Sequence, residues 1–363
     1  MDKACIFHHP FPLIPGGDSG SKVRPYKMLS AFKAIGYDVE VVSGFAAERK
    51  RSIQAITQQM NKGRKFAFAY SESVTIPTPL TEPHHLPTHP LLDFEFLRFV
   101  RKKAPVGLYY RDIHWRFNQY RHLPWYKRVV SVPFYHYDWY YYQRAIDHLF
   151  IPSKGMAQHL PSPHFSDNLS VLPPGSSVQD VAGTRASRDH LSLFYVGGVT
   201  PPLYDLTPLF GFTQRLDDIK LTICCREEEW INTQANYKHK DATVVHLASN
   251  DLRSYYARAD LFVMLWQSHP YLDFAMPVKT FEAMAHGVPI VTTSGTGVAH
   301  FVEAEGIGWA VDSKEAFLSL INRLREHPEE LERKREHVRS KRHEHTWQAR
   351  AKQVAETLES YKR

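Results

Sequence analysis

A lysine and a glutamate, Lys279 and Glu282, stand three positions apart in the segment MPVKTFEAMAHGVPIVTTSGTG. Residues at i and i+3 of a helix project from the same face, and Gly287 is placed to end such a helix before a buried strand. An ammonium group can neutralise a phosphate, while a carboxylate can accept hydrogen bonds from the two hydroxyls of a ribose. The pair therefore indicates a nucleotide site, and its alternative is an i,i+3 ion pair on the surface.

Two glycine turns are suited to hold the phosphates of such a nucleotide. Gly16 and Gly17 follow the first apolar run, ACIFHHPFP, and Gly197 and Gly198 follow the run LSLFYV. Backbone amides in a turn between a strand and a helix can bind phosphate. Neither turn has the GxGxxG spacing of a dinucleotide site, and an ordinary tight turn is the alternative for each.

Asp112 and His114 are the candidates for acid–base chemistry. Both stand in GLYYRDIHWRF, just beyond a predicted strand, where α/β sheets present their reactive groups. Asp112 could take the proton of an acceptor hydroxyl, orient a sugar hydroxyl, or cap the next turn. His84, His85 and His89 lack the cysteines or paired acids of a metal site, and no D-x-D motif occurs, so we expect no metal.

The elements that must position these residues form two predicted α/β segments. At 363 residues the chain is long enough for two hydrophobic cores. The opening strand, helix and strand make a βαβ unit, and a second alternation contains five short apolar runs: LSLFYVGG, KLTICCR, ATVVHLA, LFVMLW and VPIVTT. A polar stretch at 173–190 has the composition of a linker. We expect domains at 1–175 and 176–344, with a terminal helix at 345–363 packing back on the first.

The net charge and the cysteine content bear on the binding partners and on the cellular compartment. The net charge of +7 is compatible with nucleic acid, an anionic membrane or a phosphate-bearing substrate. Three cysteines, two of them adjacent, support neither a disulfide framework nor a zinc site, and no apolar stretch approaches the length of a spanning helix. We expect a cytoplasmic protein.

The stretch 125–144 combines aromatic side chains with Lys127, Arg128 and Arg144. This composition suits peripheral contact with the inner face of an anionic membrane, and it equally suits packing between helices. Stacking on nucleic-acid bases is the weakest of the three interpretations. We therefore expect no nucleic-acid partner.

The segment PVKTFEAMAHGVPIVTTSGTG resembles the nucleotide-sugar signature of family-4 glycosyltransferases, in which P-x-x-x-x-E-A-M-A-x-G-x-P-V-V precedes a loop of small residues. The runs IPSKGMAQHL, NLSVLPPGSS, YVGG and ARADLFV extend the resemblance over nearly the whole chain, most closely to bacterial capsule and surface-polysaccharide enzymes. It implies an α/β GT-B fold, with two Rossmann-like domains facing each other across a central cleft. It also implies that the N-terminal domain binds the acceptor and the C-terminal domain a nucleoside-diphosphate sugar.

The resemblance assigns roles to individual residues. Glu282 matches the second glutamate of the family's paired-glutamate motif, which binds the ribose, whereas the place of the first falls near Phe274 and Ala275. Asp112 and His114 stand where the family often carries a His–Asp pair, although their order and spacing differ.

The resemblance also names the phosphate contacts. Gly197 and Gly198 match the turn that lets the diphosphate approach the backbone, but VTPPLYDL replaces the basic residues that usually follow. Arg226 and Lys279 are therefore the candidates for meeting the phosphate charge. The loop whose amides face the sugar and phosphate is matched by Gly295, Thr296 and Gly297.

These features predict transfer of a sugar from a nucleoside-diphosphate donor to a glycan or lipid-linked acceptor in surface-polysaccharide synthesis, without cofactor or metal. The resemblance implies retention at the anomeric carbon. In that mechanism the leaving diphosphate takes the acceptor proton, and Arg226, Lys279 and the loop amides stabilise its developing charge. The alternatives are a nucleotide-sugar epimerase on the same fold and a non-catalytic homologue that acts as a scaffold.

Overall fold

The computed structural model describes residues 3–15, 20–117, 120, 123–179, 190–214, 216, 218–237 and 242–361. The chain divides into two compact units, one of Met1–Pro174 with Trp347–Arg363 and the other of Gly175–Thr346. Gly16 and Gly17 lie outside the described residues, as does most of the linker predicted at 173–190.

The first unit is built on a six-stranded sheet in the order β2-β1-β3-β4-β5-β6, and all neighbouring strands are parallel. Its strands are β1 Ala4–His9, β2 Asp38–Ser43, β3 Phe68–Glu72, β4 Val106–Tyr109, β5 His148–Ile151 and β6 Leu169–Val171. Its helices are α1 Gly20–Ala34, α2 Ala46–Asn61, α3 Leu92–Arg101, α4 Trp125–Ala145 and α12 Trp347–Glu359.

The second unit repeats this plan, with a parallel sheet in the order β12-β11-β10-β7-β8-β9. Its strands are β7 Leu191–Val196, β8 Ile219–Cys224, β9 Ala242–Val245, β10 Leu261–Met264, β11 Ile290–Thr293 and β12 Gly308–Val311. Its helices are α5 Thr207–Thr213, α6 Glu227–Thr233, α7 Arg253–Arg258, α8 Val278–Ala285, α9 Gly297–Ala304, α10 Lys314–Glu326 and α11 Pro328–Lys341.

The sequence predicted the five strands β7 to β11 and missed β12. Strands β7, β10 and β11 are buried along most of their length, because helices cover both faces of a parallel sheet, and such strands appear as continuous apolar runs. Strand β12 is only four residues long, starts at a glycine and is mostly half-buried, so its sequence GWAV carries little of that signal.

The C-terminal helix α12 belongs to the first unit, where it packs against α1, β3 and β4. Glu359 near its end accepts hydrogen bonds from the Lys3 ammonium and the Tyr37 hydroxyl, each at 2.6 Å. Beyond the helix, Tyr361 Oη lies 2.9 Å from Nδ1 of His148 in β5, whose Nε2 lies 2.8 Å from Ser170 Oγ. His148 thus links the sheet to the end of the chain.

Helix α4 carries the aromatic and basic stretch, and its two halves differ. Towards its C-terminal end Tyr135, Trp139 and Tyr142 are buried in the first unit, whereas the side chains near its N-terminal end are exposed. None of the helices that the structure describes combines the length and apolarity needed to cross a bilayer.

His148 should make the first unit sensitive to acid. Burial lowers the pKa of His148 to about 4, so the unfolded chain takes up a proton near pH 6.5 that the folded chain does not. Stability should therefore fall as the pH drops from about 6.5 towards 4. In thermal unfolding at pH 7 and pH 5, His148→Gln should lose less stability than the wild type.

The exposed His300 provides the control, since His300→Gln should lose as much stability as the wild type. An equal loss in His148→Gln and in the wild type would contradict the assignment.

Candidate active site

Lys279 and Glu282 lie on one face of α8, which begins directly after Pro277. The Lys279 ammonium is 2.6 Å from Oε2 of Glu282, and the Tyr256 hydroxyl donates to the same oxygen at 3.4 Å. The two side chains are 21% and 27% exposed, so both remain open to solvent. The ion pair therefore exists, and its carboxylate is accessible to a diol.

The glycine turn after β7 is closely packed by its own unit. A Cβ on Gly197 would lie 2.8 Å from the Tyr195 hydroxyl, and one on Gly198 would lie 2.7 Å from the Tyr204 ring. The Tyr195 hydroxyl also donates to the carbonyl of Gly198 at 2.5 Å. Both positions thus need glycine for packing, whether or not a phosphate approaches them.

Arg226 stands after β8, at the start of α6, with its side chain 63% exposed. Its guanidinium donates to Oε1 of Glu229, and Oε2 of Glu229 accepts from the backbone amide of Val199 at 3.3 Å. The Glu229 carboxylate therefore lies beside the glycine turn, where the sequence predicts a bound phosphate. Glu229 was not among the residues selected from the sequence, although its i,i+3 spacing from Arg226 repeats the signal used for Lys279 and Glu282.

The loop after β11 contains three predicted contacts with different surroundings. Gly295 is exposed and has φ +75°, a backbone conformation that favours glycine. Thr296 is buried, and its hydroxyl caps α9 by accepting from the amide of Ala299 at 3.0 Å. A Cβ on Gly297 would lie 3.0–3.1 Å from the backbone of residues 273–275. Gly295 thus leaves its backbone open, whereas Thr296 and Gly297 hold the loop.

The resemblance predicts the place of the family's first glutamate near Phe274 and Ala275. Phe274 is buried, Ala275 is half-buried, and Asp273 is exposed. The position is therefore filled by an apolar ring and by backbone that packs on Gly297.

In the first unit, Asp112 and His114 lie just beyond β4. Oδ1 of Asp112 accepts from the amide of His114 at 2.9 Å, while Oδ2 is 3.5 Å from Nδ1 of the same histidine. Nε2 of His114 lies 3.3 Å from the Tyr135 hydroxyl. Asp112 therefore binds the first amide of the 3₁₀ turn His114–Arg116, and its carboxylate remains 18% exposed.

Within the described residues, Glu305, Glu344 and His345 form the group of three potential metal ligands that the fold brings together. The Lys341 ammonium lies 3.1 Å from Glu344 and 3.8 Å from Glu305, so this group is an ion-pair network. His84, His85 and His89 do not belong to it.

The carboxyl ends of the first sheet hold polar and charged side chains that were not selected from the sequence. His9 ends β1, Glu72 ends β3, and Arg111 follows β4 by two residues. A polar residue just after an apolar run was the available signal, and in the first unit it was applied to Asp112 and His114 alone.

Residues 195–327 match the family model described as "Glycosyl transferases group 1". This interval contains Gly197, Gly198, Arg226, Lys279 and Glu282, together with the loop 295–297. This part of the second unit is therefore similar to a glycosyl transferase group 1 domain, and the predicted enzyme class, a glycosyltransferase, is confirmed. No curated protein sequence matches the chain.

Several solved structures share the fold over almost the whole chain. An α-glucosyltransferase in complex with UDP-glucose and DNA containing an abasic site is 11% identical, with a TM-score of 0.62 and 99% of each chain covered. Anabaena Alr3699/HepE in complex with UDP and glucose is 12% identical, with a TM-score of 0.61 and coverage of 99% of this chain and 100% of that one. WaaG, a glycosyltransferase involved in lipopolysaccharide biosynthesis, is 13% identical, with a TM-score of 0.56 and coverage of 98% and 99%. The predicted α/β GT-B fold class is confirmed.

The exclusion of nucleic-acid partners is wrong. Two of the similar structures are α-glucosyltransferases in complex with DNA, so this fold accommodates nucleic acid. The exclusion rested on the stretch 125–144, in which Tyr135, Trp139 and Tyr142 are buried in the first unit whereas Trp125 and Tyr140 are exposed. These aromatics leave the class of acceptor undetermined, because binding groups are placed on a fold independently of its architecture.

Gly297 should be the most sensitive position of the loop after β11. In Gly297→Ala the new methyl group meets backbone atoms that cannot turn aside, so the second unit should lose about 1–3 kcal/mol of stability. Urea denaturation measures this as a lower midpoint.

Gly211 in α5 is a matched control, because a Cβ there meets nothing within 4 Å. Gly211→Ala should unfold at the same or a higher urea concentration, since alanine favours the helix. Equal midpoints for Gly297→Ala and the wild type would contradict this prediction, because the backbone of residues 273–275 would then move away from the new methyl group without a loss of stability.

Proposed function

We propose that this glycosyltransferase binds a nucleoside-diphosphate sugar on its second unit and transfers the sugar to a glycan or lipid-linked acceptor. The main support is that one family match, residues 195–327, spans every donor-side residue selected from the sequence apart from Gly16 and Gly17. Two of the similar proteins are described in complex with UDP-glucose or with UDP and glucose, which favours UDP as the first nucleotide to test.

In this proposal Glu282 accepts hydrogen bonds from the ribose hydroxyls, and Lys279 lies near the diphosphate. The Lys279 to Glu282 distance of 2.6 Å keeps both groups at one place, and their partial exposure allows a ligand to reach them. Arg226 reaches the diphosphate by exchanging the Glu229 carboxylate for a phosphate oxygen. The exposed backbone of Gly295 supplies a further contact.

The chemical step is electrostatic in this scheme. As the glycosidic bond breaks, negative charge develops on the leaving phosphate, and the cations Lys279 and Arg226 stabilise it more strongly than they stabilise the bound donor. The leaving phosphate takes the proton of the acceptor hydroxyl, and the sugar is transferred with retention and without a metal. Asp112 orients the acceptor hydroxyl through the carboxylate oxygen that does not cap the turn.

For the acceptor we propose a glycan or lipid-linked sugar of surface-polysaccharide synthesis. The support is the sequence resemblance to capsule enzymes and the fold shared with WaaG, which is described as acting in lipopolysaccharide biosynthesis. Nucleic acid is a second acceptor class to assay, because DNA is bound in similar structures. Donor turnover without any acceptor would instead indicate an epimerase, and failure to bind any nucleotide would indicate a scaffold.

We further propose that the start of α4 contacts an anionic membrane surface. The exposed apolar side chains here are Leu123, just before the helix, and Trp125, Tyr126, Val129 and Val130 in its first turns, with 39% to 70% of each residue accessible. Lys127 and Arg128 lie between them and complement anionic headgroups.

Loss of Glu282 should weaken nucleotide binding. A hydrogen bond to a charged group contributes about 1.5–3 kcal/mol, so Glu282→Ala should raise the dissociation constant roughly ten- to a hundred-fold. Lys279→Ala should lower the turnover rate more than the donor affinity, since its charge acts mainly on the breaking bond. Thermal shifts with UDP-, GDP-, CMP- and dTDP-sugars identify the nucleotide, and calorimetry then measures its affinity for each variant.

Lys341 and Glu344 form an i,i+3 ion pair of the same type elsewhere in the second unit. Lys341→Ala and Glu344→Ala should bind the nucleotide as the wild type does. If Lys279→Ala and Glu282→Ala behave like these controls, the pair is a surface ion pair and lies outside the donor site.

The α4 proposal predicts co-sedimentation with vesicles that contain phosphatidylglycerol, and salt should weaken it because surface attraction is screened. The double variant Trp125→Ser/Val129→Ser should bind severalfold less. Ile231 is the control, because it is 60% exposed on the second unit, and Ile231→Ser should leave vesicle binding unchanged. Equal recovery of the wild type in the supernatant with and without anionic lipid would contradict the proposal.

A further inference from the structure

Four polar side chains meet at the carboxyl edge of the first sheet. His9 and Glu72 end the neighbouring strands β1 and β3, Arg111 follows β4, and Arg24 reaches them from α1. From β1 the chain continues to β2, which lies on one side of β1 in the sheet, and then to β3, which lies on its other side. The strand order therefore reverses between β1 and β3, and this edge includes that point. Doubly wound sheets bind their ligands at such points.

Arg24 and Glu72 form a buried ion pair, although Arg24 Nε and Glu72 Oε2 have no hydrogen-bond partner within the described residues. The Glu72 side chain is fully buried, and its Oε1 lies 3.2 Å from Arg24 Nε and accepts from the Tyr70 hydroxyl at 2.9 Å. The Arg24 guanidinium donates to the Pro173 carbonyl at 3.4 Å and lies 3.4 Å from the centre of the Tyr109 ring. One positive and one negative charge therefore balance each other.

Arg111 adds a positive charge that this pair does not neutralise. Its side chain is 11% exposed, and Nη2 lies 3.5 Å from Oε2 of Glu72, which is beyond a good hydrogen bond. Nε and Nη2 of Arg111 are buried and have no hydrogen-bond partner within the described part of the chain. A guanidinium withdrawn from water without partners is costly, and such a group in a native protein calls for a ligand or an ordered solvent molecule.

The neighbouring histidine does not change this balance. Nδ1 of His9 lies 3.2 Å from the carbonyl oxygen of Glu72, an acceptor, so Nδ1 carries the ring proton. Burial, and next the positive charge of Arg111, lower the pKa of His9 to about 3, so that the ring is neutral at physiological pH. Among the four described side chains that meet here, Arg24, Glu72, Arg111 and His9, one positive charge is therefore in excess.

We propose that Arg111 binds an oxyanion of the acceptor, a phosphate or a carboxylate, at the carboxyl edge of the first sheet. The planar guanidinium offers paired donors that match the oxygens of either group, and the Arg24–Glu72 pair holds the surrounding polar groups in place. The inference rests on the proposed function in one respect, that the first unit is the one that binds the acceptor. It narrows the acceptor to molecules that carry an acidic group close to the hydroxyl that is glycosylated.

Titration of the full-length protein with inorganic phosphate and with acetate, at constant ionic strength set with chloride, tests the site without knowledge of the acceptor. Either anion should raise the thermal unfolding midpoint of the wild type above that in chloride. Arg111→Gln should weaken this binding at least tenfold, and Arg111→Lys, which keeps the charge and loses the paired donors, should weaken it less. A response to phosphate alone assigns a phosphate group, and a response to both assigns either oxyanion.

Two control variants distinguish anion binding at Arg111 from anion binding elsewhere on the protein. Arg98→Gln removes an exposed arginine of α3 and should leave the response to the anions unchanged. Lys279→Ala removes a cation of the proposed donor site and can lose only the part of the phosphate response that arises there, whereas Arg111→Gln should lose the response to both phosphate and acetate at the first sheet, so failures of the two sites give different results. In chloride, Arg111→Gln should be at least as stable as Arg98→Gln, because it removes a buried charge without a hydrogen-bond partner.

The proposal is overturned if phosphate and acetate stabilise the wild type no more than chloride does, or if Arg111→Gln responds to them as the wild type does. It is also overturned if Arg111→Gln is much less stable than Arg98→Gln in chloride, since Arg111 would then act as a structural partner of Glu72.

Discussion

The burial of both sheets on their two faces is the constraint on which the rest of the structure depends. Strands such as β4 and β10 are buried at every position, so they offer no place for a charged side chain along their length. In these central strands, unlike the edge strand β2 with its Asp38 and Glu40, polar groups can reach solvent or a ligand only where the strand ends. Glu72, Arg111, Asp112, Arg226 and the loop 294–297 all lie at or beyond strand ends, and the candidate sites of both units lie at carboxyl edges for this reason.

At these edges most charges are already neutralised within the protein. Lys279 pairs with Glu282, Arg226 with Glu229, and Asp112 with the amide of His114. A ligand that binds these groups must replace an existing contact, so the binding free energy that it gains is the difference between the new interaction and the one it replaces. Arg111 differs from them, because Nη2 lies 3.5 Å from Glu72 and neither Nε nor Nη2 has a hydrogen-bond partner within the described residues, so an anion there would gain hydrogen bonds without displacing one.

Packing, as much as ligand binding, accounts for the small residues of the donor-side motifs. Gly198 lies against the Tyr204 ring, and Gly297 lies against the backbone of residues 273–275. Gly295 differs from both, because it is exposed, has φ +75° and leaves its backbone free of such packing. The motif therefore preserves a loop shape, and the loop shape in turn determines which amides can face a donor.

The amino-acid sequence was sufficient to predict the α/β class, the two parallel sheets and the enzyme class, because continuous apolar runs and a spaced motif are local signals. Local signals failed for β12, which is short and half-buried, and for the polar helix α2. The folded chain was needed to show that the C-terminal aromatics of α4 are buried while Trp125 and Val129 are exposed. It was also needed to show that Glu229 contacts the glycine turn and that Arg111 lies beside Glu72, because residues far apart in the chain become neighbours only when the strands align.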